Sequence, residues 1–256
     1  MEITSSENLK IKNLKKLSQK KYRQEFGEFL VENLIIIRDG LNAGYKPTAV
    51  FATEQFVAKN KAEFEKLIKA SNLKDYFTIS EKINKSFSNL ENPMGITAVY
   101  KMPAESKLSF DKPILYLNSI GDPGNLGAIF RSALAFDFKN IILDGTCADP
   151  YNFKVINAAK DAIFKVNIIN DNNLKILKQL KSKMPIVSTR MDQAKNIDAL
   201  KKYKNFCLVL GDESQGVDED IEKLADDFVK INISSAIESL NVAAAAAIIL
   251  HSVYNK

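Results

Sequence analysis

Residues 114–143 read ILYLNSIGDPGNLGAIFRSALAFDFKNIIL. Two apolar runs of strand length, Ile114–Leu117 and Asn140–Leu143, bracket a turn at Gly121-Asp122-Pro123-Gly124 and a helical stretch over 125–137. Strand, helix and strand in this order predict a parallel pairing, because a crossover helix returns the chain to the same sheet edge in the same direction. The alternation continues with helices over 151–162 and 171–182 and strands over 164–169, 186–189, 206–210 and 228–231. A last helix is expected over 239–254. The fold class is therefore α/β with a largely parallel sheet, and no internal repeat is visible.

Upstream, residues 101–113 (KMPAESKLSFDKP) are polar with two prolines and read as a linker. They divide the chain into domains 1–104 and 105–256. The first is a small α/β domain with strands expected at 28–32, 49–52, 76–79 and 96–100 and helices at 33–43, 55–70 and 83–90. It opens on a basic helix. Residues 9–23 hold Lys10, Lys12, Lys15, Lys16, Lys20, Lys21 and Arg23 and no acidic residue. Such a cluster neutralises phosphates. A solvated helix face is the alternative.

The chain has 256 residues, a net charge of +5, 46% hydrophobic and 26% charged residues. These values fit a globular protein able to bury a sizeable core. No apolar run reaches the 18 residues of a membrane span, and the first residues lack the apolar core of a signal peptide. No membrane association is expected. Cys147 and Cys207 make no disulfide framework, so both are expected to be buried thiols in a reducing cytoplasm. Cys147 follows a strand, which leaves a functional thiol open. The single histidine, His251, lies in the apolar last helix. A histidine triad or metal site has no support, and no metal is expected. Residues 121–127 lack the G-x-G-x-x-G spacing of a dinucleotide site, and no P-loop occurs.

Three stretches carry small and polar residues where apolar ones would be ordinary. They are Asp122 to Ala133, Leu210-Gly211-Asp212-Glu213-Ser214-Gln215-Gly216, and Ile231-Asn232-Ile233 with Glu238-Ser239-Leu240-Asn241. Each joins a strand end to a loop or helix start, where α/β proteins bind ligands. Asn125 stands where a helix would be capped. Arg131 follows about 9 Å along the helix axis at the usual rise.

In this order the stretches resemble the SpoU (TrmH-like) RNA 2′-O-ribose methyltransferases of the SPOUT superfamily. The motif N-x-G-x-x-x-R-[ST]-A matches Asn125, Gly127, Arg131, Ser132 and Ala133. The motif G-x-E-x-x-G matches Gly211, Glu213 and Gly216, and S-L-N-V matches Ser239 to Val242. The N-terminal part is similar to the family's accessory RNA-binding domain, through Ser5 to Asn8, the basic helix and Phe29 to Glu32. The resemblance implies a trefoil-knotted C-terminal domain, a homodimer and S-adenosylmethionine as methyl donor. It implies catalytic roles for Asn125, Arg131, Glu213, Ser239 and Asn241, and cofactor contacts at Ser188, Thr189, Gly211, Ile231 and Leu240. Arg131 would grip the phosphate beside the target ribose, since guanidinium keeps its proton.

The chain departs from the family pattern at Asp212-Glu213-Ser214, at Ile231-Asn232-Ile233 and at Glu32-Asn33. Asn157, Ala159 and Asp161 replace an arginine, a serine and a glycine in a helix that borders the active site in relatives. The expected function is methylation of structured RNA, ribosomal ahead of transfer RNA. The alternatives are a tRNA 2′-O-methyltransferase, a non-catalytic RNA-binding relative, and a methyltransferase acting on protein or small molecules.

Overall fold

The computed structural model describes residues 1–74, 76–104, 108–212 and 215–254. The chain packs as two compact units, residues 1–103 with 151–164 and residues 104–150 with 165–256. Residues 151–164, expected with the C-terminal domain, pack in the first unit.

In the first unit the strands are β1 (Glu2–Ile3), β2 (Glu28–Val31), β3 (Ala49–Thr53), β4 (Phe77–Ile79) and β5 (Ile96–Lys101). Their order is β1-β4-β3-β5-β2. The pairings β1–β4 and β3–β4 are parallel, whereas β5 runs antiparallel to β3 and β2. The basic segment forms two helices, Leu9–Lys16 and Lys20–Phe26, rather than one. Ile11, Leu14 and Leu17 turn into a core with Leu30, Phe51, Ile79 and Val99. Arg23 is buried, and its guanidinium donates to the Leu17 and Ser18 carbonyls, each at 2.8 Å. It satisfies the carbonyls freed where the helix breaks, so it is withdrawn from any role on phosphate. The expected helix over 55–70 is likewise two, Glu54–Lys59 and Lys61–Ser71.

Residues 151–164 form the helix Phe153–Ala159 and a 3-10 turn, Lys160–Phe164. The Phe164 ring lies 5.0 Å from Tyr100 and 5.3 Å from Tyr45, and Tyr151 lies 4.8 Å from Phe29. Gly40 leaves room for this ring: a Cβ there would stand 2.8 Å from it. Phe164 thus ends a helix and fills a core instead of starting a strand.

The second unit holds β6 (Ile114–Leu117), β7 (Asn140–Asp144), β8 (Asn167–Asp171), β9 (Ile186–Thr189), β10 (Lys195–Asn196), β11 (Cys207–Leu210) and β12 (Asp227–Lys230). The order is β10-β12-β9-β11-β6-β7-β8, and every pairing is parallel. The short β10 was not foreseen. The chain runs from β6 to one edge and then rebuilds on the other side of β6, with β11 inserted between β9 and β6. The direction of winding therefore reverses beside β6.

Helices Pro123–Ala135 and Val242–Tyr254 pack against each other. The first starts at Pro123, not Asn125. Asp122 is its cap, accepting the Asn125 N–H at 2.7 Å. Proline at the first helical position needs no N–H partner, so the cap moves one turn upstream. Cys147 and Cys207 are both buried, and burial pushes both thiols up. The Cys147 thiol donates to the Leu117 carbonyl at 3.3 Å. A buried thiol held protonated is a poor nucleophile.

Candidate active site

A cavity of about 470 Å³ opens at the carboxyl ends of β9, β11 and β12. Its walls include Thr189, Gly211, Ile231, Ser239 and Leu240. Four of the five residues expected to contact cofactor thus meet at one place, joined by one expected catalytic residue. Ser188 is fully buried and does not line the cavity. Successive strand residues face opposite ways, so Thr189 reaches the cavity and Ser188 cannot.

The cavity depends on the bare backbone of Gly211. A Cβ there would stand 2.0 Å from the Gly216 carbonyl oxygen, because the Gly216 backbone lies directly against Gly211. The Gly216 N–H closes the turn on the Asp212 carbonyl at 2.9 Å. Gly216 adopts φ +72°, a left-handed conformation that glycine takes without strain.

Beside the cavity, Asn241 opens the last helix. Its Oδ1 accepts the Ala243 and Ala244 N–H groups at 3.0 and 3.3 Å, and its Nδ2 donates to Asn125 Oδ1 at 2.9 Å. One amide caps a helix and clasps the neighbouring one. The alanines after it keep the two helices close, with Ala246 fully buried. Arg131 stands exposed on helix Pro123–Ala135, outside the cavity lining. Glu213 lies outside the described residues.

Sequence reading missed Arg190. It lines the cavity with its guanidinium 4.6 Å above the Phe228 ring. The only available signal was an arginine directly after a strand. A second omission is the polar cluster where β6 and β7 end. Asp144, buried there, accepts hydrogen bonds from Asn118, Ser119, Thr146 and Cys147. Burial pushes its carboxyl up, yet these donors outweigh burial and hold it below the usual carboxylate range.

In the first unit Lys10, Lys12, Lys16, Lys20 and Lys21 are exposed and Lys15 is half-buried. Glu32 is buried, accepting from the Ser88 hydroxyl and from the Asn89 N–H. Asn33, at one of the departures from the family pattern, has φ −136°, an extended conformation open to any residue. Its side chain caps the helix Leu34–Asn42 through the Ile35 and Ile36 N–H groups.

Residues 112–251 match the SpoU rRNA Methylase family, and residues 8–98 match the MRM3-like substrate binding domain. The chain is 28% identical over 251 residues to the 23S rRNA (guanosine(2553)-2′-O)-methyltransferase RlmP of Bacillus subtilis, covering 98% of each protein. A crystal structure of an RNA 2′-O ribose methyltransferase superposes with a TM-score of 0.82 at 27% identity, covering 100% of this chain and 98% of the other. The SpoU methyltransferase AviRb of Streptomyces viridochromogenes superposes with a TM-score of 0.87 at 21% identity, covering 97% of each chain.

Proposed function

Because this chain belongs to the SpoU rRNA Methylase family, we propose that it transfers a methyl group from S-adenosylmethionine to a ribose 2′-hydroxyl of ribosomal RNA. The observation that carries this reading is the meeting of Thr189, Gly211, Ile231, Ser239 and Leu240 around one cavity. Its volume falls within the range of about 300–1,000 Å³ usual for small-ligand pockets. The strand-end backbone around it offers N–H and C=O groups to an adenosine, and its apolar side chains exclude water. The ribosomal substrate is carried over from RlmP, aligned over nearly the whole chain.

S-adenosylmethionine supplies an electrophilic methyl group on a sulfonium. The protein's task is to hold that methyl in line with the attacking oxygen and to favour negative charge there. Thr189, Gly211, Ile231 and Leu240 hold the cofactor. Arg131 binds the phosphate next to the target ribose and stabilises charge developing on the 2′-oxygen. It does not act as a base, because guanidinium keeps its proton. Asn125, Ser239, Asn241 and Glu213 orient the ribose and the arginine. The Asn125–Asn241 hydrogen bond supports a shared role by fixing helix Pro123–Ala135 to the wall that carries Ser239.

The exposed lysines of residues 10–21 hold the RNA. Changing Lys10, Lys12, Lys16, Lys20 and Lys21 together to glutamine should weaken RNA binding and flatten its salt dependence. Unchanged activity would point to a protein or small-molecule acceptor. The protein acts as a homodimer across the last helix, which leaves Ile248 43% and Tyr254 54% exposed. Light scattering showing a monomer at micromolar concentration would remove that element. The β9–β12 region is read as the knot. Two buried free thiols favour a reducing cytoplasm, and recovery in an oxidising compartment on fractionation would refute that.

The deciding experiment maps 2′-O-methylation across total RNA with and without this protein. One ribosomal site should vanish. Arg131→Ala should lower methyl transfer by roughly 10²–10³-fold, the scale of a lost transition-state donor, with cofactor affinity within about twofold. A large loss of cofactor binding would refute the assigned role. Cofactor binding without methylation of any RNA would support a non-catalytic protein.

A further inference from the structure

We propose that Asn118 is a positioning residue for methyl transfer, its neutral amide tying the cavity loop 211–218 to the loop that launches the Arg131 helix. The proposal rests on reading the cavity as the cofactor site.

Asn118 directly follows β6, beside which the winding of the sheet reverses. Ligands of open α/β sheets bind at such a reversal, but here the reversal is sewn shut by side chains. Asn118 is fully buried. Its N–H donates to the Leu210 carbonyl at 2.9 Å, one residue before Gly211. Its Nδ2 donates to Asp144 Oδ2 at 2.5 Å and to Asp218 Oδ2 at 2.8 Å, and its Oδ1 accepts the Asp218 N–H at 2.8 Å. Both amide protons and the carbonyl are therefore used.

These bonds join three strand-end loops. Asp218 ends the segment that begins with Gly211 and lines the cavity. Ser119, next to Asn118, donates its N–H to Asp144 at 3.0 Å and begins the loop to Asp122, the cap of the Arg131 helix. Asp144 belongs to the end of β7, where Thr146 Oγ1 lies 2.8 Å from the Ser119 hydroxyl. A displacement of loop 211–218 is thus transmitted through one amide to the base of the Arg131 helix. Reacting groups misplaced by about 1 Å lose roughly 10²-fold in rate.

The residue must also be neutral. Asp144 and Asp218 face it from two elements. The other groups at this point are the Ser119 and Thr146 hydroxyls and the Cys147 thiol, which is turned to the Leu117 carbonyl. An aspartate at 118 would be a third acceptor set against two carboxylates, with the amide donor that Asp144 and Asp218 share lost. An alanine would remove the link and leave Asp144 its bonds to Ser119, Thr146 and Cys147.

The test compares wild type with Asn118→Ala, Asn118→Asp and the double variant Asn118→Asp/Asp218→Asn. S-adenosylmethionine binding is measured by calorimetry. Labelled methyl transfer is measured to ribosomal RNA from cells lacking this protein. Asn118→Ala should weaken cofactor binding and slow transfer at saturating cofactor, each by about 10-fold. Thr146→Val, which touches the same cluster without the link to loop 211–218, should alter neither. Asn118→Asp should be least active at pH 8.5 and recover toward pH 6.5 as the cluster takes up a proton, whereas wild type should not recover in that direction. The double variant, with the carboxylate number restored to two, should regain activity at pH 8.5. Asn118→Ala within twofold of wild type in both measurements, or changed in only one, overturns the proposal. If Asn118→Ala does not fold, absence of both pH recovery and second-site rescue in Asn118→Asp overturns it. Wild type that transfers no methyl group overturns the reading of the cavity instead.

Discussion

The join around Phe164 in the first unit and the cavity rim around Gly211 in the second are built from opposite materials. Phe164 holds its segment by bulk: a large ring packed with Tyr45, Phe29 and Tyr100 over the bare backbone of Gly40. Gly211 holds its loop by the absence of a side chain, with backbone against backbone. The first arrangement is damaged by removing atoms and the second by adding one. The contrast follows from what each place does. A fold join needs buried apolar area, whereas a cavity read by backbone groups needs the chain itself to come close.

The largest effect should come from removing bulk. Phe164→Ala should destabilise the first unit by about 3–5 kcal/mol, the usual range for a buried phenylalanine. Denaturant unfolding should show this while S-adenosylmethionine affinity stays near wild type, and a stability loss under 1 kcal/mol would break the comparison. Next is the addition of one carbon at the rim. Gly211→Ala should weaken cofactor binding by about 100-fold, because the Gly216 backbone must shift and a site misplaced by about 1 Å loses this much. Wild-type affinity in calorimetry would show that the loop is not packed as described.

A smaller effect is expected from adding the same carbon where a side chain, not backbone, is in the way. Gly40→Ala should cost about 1–3 kcal/mol as overpacking against the Phe164 ring. Phe164→Leu should relieve part of it, and additive losses in a double-mutant cycle would contradict this contact. The mildest contrast is with pH. Asp144, Asp226 and Asp227 in the second unit are all held below the usual carboxylate range, despite burial, by hydrogen bonds and by lysines. A lowered folded pKa contributes stability that is complete above the unfolded value of about 3.9. That stability is lost as pH falls through the folded value. Between pH 5 and pH 2 the second unit should lose thermal stability, and Asp144→Asn should flatten the profile. An unchanged slope in Asp144→Asn would count against the cluster's contribution.

Several elements were legible because their cause is local. The β-α alternation from Ile114 to Tyr254 is written in apolar runs and helical spacing. Gly211, Ser239 and Asn241 stood out because small and polar residues interrupt those runs. Other elements were not legible because their cause is distant or competitive. Asn125 and Asp122 can both cap a helix, and Pro123 decides between them. The lysine-rich segment reads as one helix until Arg23 is seen turned inward onto the Leu17 and Ser18 carbonyls. Asn33 reads only as a departure from the family pattern until its side chain is seen capping the helix Leu34–Asn42.

The sequence by itself determined the fold class, the strand and helix alternation of the longer elements, and which small and polar residues mark the strand ends, because each depends on neighbours a few positions away. Only the tertiary structure decided that residues 151–164 pack with the first unit, that Thr189 but not Ser188 reaches the cavity, and that Asn118 links Asp144 to Asp218. Those outcomes depend on burial and hydrogen-bond partners 26 and 100 residues apart for Asn118, and 64 for Tyr100 with Phe164. No local periodicity encodes separations of that length.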